Sequence, residues 1–131
     1  MKSILFALRV SDLERSLAFY AKVGYINLGK VPFDDGSSLV WLRLPAEDSV
    51  SLELVHRPAD GPVEIRGFEH FAIEVDTLAA AVERLTAASL TPGEPVHHGP
   101  EGPKTSWLVD PDGYRLELVE WPPGGPPVPE A

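Results

Sequence analysis

The chain repeats itself, and that repeat decides most of what it can fold into. Phe6-Ala7-Leu8-Arg9-Val10-Ser11-Asp12-Leu13 and Phe71-Ala72-Ile73-Glu74-Val75-Asp76-Thr77-Leu78 align 65 positions apart. Leu52-Glu53-Leu54-Val55 and Leu116-Glu117-Leu118-Val119 align 64 positions apart. Two matches in the same order at nearly the same spacing mark one supersecondary unit used twice. Each copy opens with strand-like alternation and then enters an apolar stripe at i, i+4, i+7. The stripe is Leu13, Leu17 and Tyr20 in the first copy, and Leu78, Val82 and Leu85 in the second. Ser11 to Glu14 reads as a capping box for the first helix, and Asp76 as the N-cap of the second.

Alternation predicts strands near 3–10, 25–31, 38–43 and 50–56, and near 68–75, 93–97, 105–109 and 114–120. Asp34-Asp35-Gly36 and Asp110-Pro111-Asp112-Gly113 carry the chemistry of chain reversal. Each half therefore reads β-α-β-β-β. The class is α+β: two modules, about 1–57 and 66–121, forming one domain with a curved mixed sheet of eight strands. The helices lie outside and a small-molecule cavity inside. Residues 57–67 link the halves, and the Pro/Gly-rich tail 122–131 continues neither strand nor helix.

Composition removes several classes of function. The chain has 131 residues, enough for a real core, and no apolar run near the roughly 18 residues that span a bilayer. No export signal is visible at the N-terminus, so the expected location is cytoplasmic. With no cysteine, thiolate nucleophiles and cysteine zinc sites are excluded, and a metal must be held by His, Asp and Glu. A net charge of −9 disfavours nucleic acid and anionic membranes as partners.

Strand alternation sorts the faces. Glu53 lies opposite in phase to Leu52 and Leu54, and Glu117 to Leu116 and Leu118. Leu5, Ala7 and Arg9 share one face, and their repeat mates are His70, Ala72 and Glu74. Two matched glutamates and a histidine on a third strand form a polar set aimed at one cavity. Phe33, Trp41 and Trp107 suggest an apolar or aromatic lining.

Three stretches resemble the vicinal oxygen chelate superfamily, which includes glyoxalase I, extradiol dioxygenases, and fosfomycin and bleomycin resistance proteins. They are Leu8 to Tyr20 followed by Gly24-Tyr25, then Gly67 to Asp76, then Asp110 to Leu118. Single-module glyoxalase I-like proteins are the nearest in pattern. That resemblance implies a divalent metal (Mn, Ni, Fe, Co or Zn) held by four positions, and three are matched, at Glu53, His70 and Glu117. The fourth falls on Leu5, which cannot coordinate. Dioxygenase and fosfomycin-resistance chemistry, and classical lactoylglutathione lyase activity, are disfavoured for that reason. No organic cofactor is implied.

The resemblance implies proton transfer of lyase or isomerase type, with Glu53 or Glu117 as general base and Arg9, Trp41 and Trp107 binding substrate. Arg9 is equally readable as a salt-bridge partner of Glu74. A homodimer is expected; Glu53 meets His70 and Glu117 either within one chain or, as single-module relatives imply, across two chains. The alternative is a metal-free drug-binding protein of bleomycin-resistance type, for which the acidity and Trp41 and Trp107 suit a cationic, planar ligand. His97 and His98 fall in a Pro/Gly-rich loop, where one of them is a conceivable replacement ligand.

Overall fold

Leu52 and Leu54 have no exposed surface, whereas Glu53 between them is half-buried. That alternation is the organising pattern of the computed structural model, which describes residues 1–130. The chain divides into two compact units, Met1–Arg66 and the part from Gly67 onward. The first module runs β1 (Phe6–Arg9), α1 (Leu13–Val23), β2 (Ile26–Pro32), β3 (Ser38–Arg43) and β4 (Leu52–His56). The second runs β5 (Phe71–Glu74), α2 (Leu78–Ala87), β6 (Val96–His97), β7 (Lys104–Val109) and β8 (Arg115–Glu120). Both are βαβββ, as the repeat requires, and the eight strands form two four-stranded sheets in the orders β1-β4-β3-β2 and β5-β8-β7-β6. In each sheet the first strand is parallel to the fourth and the remaining pairs are antiparallel.

One face of each sheet carries its helix. In the first module Leu8, Val10, Val40, Leu42, Leu52 and Leu54 are buried with Tyr20 and Val23 of α1. In the second, Ile73, Leu108, Leu116 and Leu118 are buried with Leu78 and Leu85 of α2. Burial of this apolar stripe, more than helix propensity, is what stabilises helices of ten or eleven residues. Leu17 and Val82, the middle members of the two predicted stripes, are both only half-buried.

The hairpin turns are built by aspartates. Asp35 Oδ1 accepts from Ser37 N at 2.9 Å and Ser37 Oγ at 2.5 Å, and these bonds hold its carboxyl below the usual carboxylate range. Buried Asp110 accepts from the backbone of Asp112 and Tyr114, both at 2.9 Å. Gly113, at φ 97°, completes that turn in a conformation glycine adopts without strain.

Several element ends differ from expectation. β1 begins at Phe6 because β4, its ladder partner, begins at Leu52. β6 is only two residues long, and a 3-10 turn, Pro58–Asp60, interrupts the linker. Asp12, not Ser11, caps α1, accepting from Arg15 N at 3.0 Å, while Ser11 Oγ takes Arg15 Nη2 at 3.1 Å. The N-cap of α2 is Thr77, not Asp76, and its side chain makes no capping bond. Glu120 of β8 accepts the Leu78 N–H instead, at 2.7 Å. After β8, residues 121–130 form no helix or strand. No helix among the described residues is long and apolar enough to cross a membrane.

Candidate functional site

The sheet face away from each helix carries a matched row of side chains. In the first module Glu53 pairs with Ala7 across β1–β4 and with Trp41 across β3–β4, and Trp41 pairs with Gly29 of β2. In the second, Glu117 pairs with Ala72 and Trp107, and Gly93 N donates to Trp107 O at 2.8 Å. The row is Ala–Glu–Trp–Gly in both. A small residue at each end leaves the carboxylate and indole in the open centre. Sequence reading named both tryptophans without matching them to the glutamates. The available signal was Trp41-Leu42 against Trp107-Leu108, 66 positions apart, one or two out of step with the other repeat matches.

The second module gathers the denser cluster. His70 precedes β5, and its Nε2 lies 3.9 Å from Glu117 Oε1. Its ring meets Trp107 edge-on, with centroids 4.9 Å apart. The Arg115 guanidinium covers Trp107 at 4.1 Å and binds Glu69 Oε1 at 2.8 Å. That same Glu69 oxygen is 3.7 Å from His70 Nδ1. Carboxylate, imidazole, indole and guanidinium thus limit one another's rotamers. Glu69 and Arg115 were not singled out from sequence. Their mates in the first module are Ile4 and Ser51, so the repeat carries no trace of them.

In the first module Trp41 Nε1 donates to Glu53 Oε2 at 2.8 Å. Leu5, the mate of His70, lies just before β1 and is exposed. Arg9 reaches back to the linker between the modules. Its Nη2 donates to Arg57 O at 3.0 Å and Gly61 O at 2.9 Å, tying the linker to β1. The loop histidines also have structural work. His97 belongs to β6, and His98 Nε2 hydrogen-bonds Thr105 Oγ1 at 2.8 Å. The loop between them and β7 closes tightly, since a Cβ on Gly102 would collide with the His98 carbonyl.

What this face can hold follows from its donors. Among the described residues, no group of three His, Cys, Asp or Glu side chains is placed to bind a metal. Within the second module, His70 and Glu117 stand as a pair. Their 3.9 Å separation is too wide for a hydrogen bond but less than two metal–ligand bonds of about 2.1 Å laid end to end, so a single cation can touch both. An imidazole and carboxylates suit a borderline divalent ion.

Known proteins share this chain's sequence pattern and fold. A family model described as the Glyoxalase/Bleomycin resistance protein/Dioxygenase superfamily matches residues 4–118. The chain is 30% identical over 140 residues to a lactoylglutathione lyase of Pseudomonas aeruginosa, covering 86% of this chain and 78% of that one. Among solved structures it is similar to a trypanothione-dependent glyoxalase I of Leishmania major, with a TM-score of 0.73 and 26% identity over 92% of this chain and 86% of that one. It is also similar to TnmS3, an antibiotic-binding protein from Streptomyces sp. CB03234, with a TM-score of 0.69 and 25% identity over 92% of this chain and 96% of that one.

Proposed function

Since the chain belongs to the glyoxalase/bleomycin resistance protein/dioxygenase superfamily, we propose that it is a glyoxalase-type enzyme that transfers a proton on a small molecule at a divalent metal. The observation that carries the proposal is the pairing of His70 Nε2 with Glu117 Oε1 at 3.9 Å, with Glu117 at the ladder position that Glu53 holds in the first module's own sheet. His70 and Glu117 would hold the ion, and Glu53 of the partner subunit in a homodimer would be the third donor. Mn, Ni, Fe, Co and Zn fit this set.

A bound cation would polarise vicinal oxygens of the substrate and acidify the neighbouring C–H. One of Glu53 and Glu117 takes that proton and returns it as general base and then general acid. Trp41 and Trp107 offer apolar faces to the substrate. Arg9, anchored by the carbonyls of Arg57 and Gly61, is the proposed cation for a substrate carboxylate. Leu5 has no donor where the glyoxalase pattern has one, so lactoylglutathione lyase activity itself is not expected. A cytoplasmic location belongs to the same proposal.

Metal content per chain, measured on protein purified without chelator or histidine tag, tests this reading. Close to one divalent ion per chain is expected, and its loss in His70→Ala. Protein that stays empty after incubation with Mn, Ni, Fe and Zn would overturn it. Binding of a planar cationic drug by that metal-free protein, read by tryptophan quenching, would favour a binding function instead.

A further inference from the structure

The two modules use their matched tryptophans differently. Trp107 stands opposite Glu117, but its ring is occupied by the Arg115 guanidinium over one face and by a T-shaped contact with the His70 ring. Trp41 stands opposite Glu53 and gives its Nε1–H to Glu53 Oε2 at 2.8 Å. We propose that Trp41 is a positioning residue for Glu53, fixing one carboxylate oxygen so that Oε1 alone is presented to a ligand. The inference rests on the reading of Glu53 as a metal donor.

Three features support it. An indole nitrogen is a donor only, so the contact has a single polarity and selects an acceptor. Trp41 has only two side-chain torsions and sits on a ladder position of β3, so the donor is pre-placed by the sheet. The β2 residue in register with Trp41 is Gly29, beside a shift of register between Asn27 and Gly29, and no side chain there crowds the indole. A glutamate on a half-exposed strand face otherwise samples several rotamers. Phenylalanine would keep an aromatic ring at this ladder position but has no N–H to hold the carboxylate.

The test has two readouts. The chain has three tryptophans, so metal-free protein should give three indole ¹H–¹⁵N signals, and Trp41→Phe identifies one of them. That signal should move in Glu53→Gln, while the Trp121 signal stays. Nickel(II) titrated calorimetrically into wild type, Trp41→Phe and the control Trp121→Phe gives the second readout. Affinity should fall about 10- to 100-fold in Trp41→Phe, as for other residues that orient a ligand, and remain in the control. An indole signal indifferent to Glu53→Gln would overturn the inference without reference to metal. Wild-type nickel affinity in Trp41→Phe would overturn it alone and leave the proposed function standing. A wild-type protein that takes up no nickel would overturn both.

Discussion

Glu120→Ala should destabilise the fold by about 2 kcal/mol, although Glu120 lies in a strand and the damage falls on a helix. The first N–H groups of an α-helix have no partner within it. At α2 the N-cap Thr77 gives no side-chain bond, and Leu78 N donates to Glu120 Oε1 at 2.7 Å across 42 residues of chain. Leu78 is only 2% exposed, which keeps water from replacing the lost acceptor. Loss of an N-cap costs about 0.5–2 kcal/mol, and a hydrogen bond to a charged group is worth about 1.5–3 kcal/mol. The Lys104 Nζ contact at 3.6 Å adds little, because that lysine is half-exposed and its pairing is screened. Glu120→Gln keeps an acceptor but loses the charge facing the helix dipole, and should cost about 1 kcal/mol. Urea unfolding followed by far-UV circular dichroism, with an unchanged m value, measures both. In a chain of this length 2 kcal/mol lowers Tm by roughly 6–10 °C. An Ala variant within about 0.5 kcal/mol of wild type would refute the idea that β8 caps α2.

Other expectations follow from the same structure. Ser16 is fully buried on α1 and its Oγ has no hydrogen-bond partner among the described residues, so Ser16→Ala should gain about 1 kcal/mol in urea unfolding; a clear loss would show that the hydroxyl is satisfied. Burial, and then the charge of Glu47, push the Tyr25 phenol well above its usual value near 10. The unfolded tyrosine therefore releases its proton first, so this contribution to stability is intact below pH 10 and lost as pH rises above it. Urea midpoints between pH 8 and about 11 should fall less steeply in Tyr25→Phe, and equal slopes would contradict the assignment. Leu5→His places an imidazole at the repeat mate of His70; if it adds even about 1.4 kcal/mol of binding, nickel affinity rises tenfold, and an unchanged affinity in folded protein would count against the site.

Much of the architecture was legible because it rests on local periodicity. Alternation around Glu53 and Glu117 assigned both to the face opposite the buried leucines, and the repeat predicted that the two modules share one topology. Those patterns depend on residues one to seven apart, within reach of any strand or helix. The resemblance of Leu8 to Tyr20 and Asp110 to Leu118 to glyoxalase-like sequences led to the family that the comparison then showed.

What sequence left open depends on contacts far apart in the chain. Asp76 looked like the cap of α2, yet the acceptor is Glu120, because β8 runs parallel to β5, whose end leads into that helix. Arg9 was weighed between a substrate carboxylate and Glu74, and no side-chain pattern reveals that its Nη2 also donates to two linker carbonyls. Glu69 and Arg115 flank His70 only once β8 lies beside β5, 46 residues apart in sequence. Local patterning determined which residues face the site, since side-chain direction follows from backbone period. Which of them touch was decided by strand pairing, since register brings together residues whose separation in sequence carries no signal.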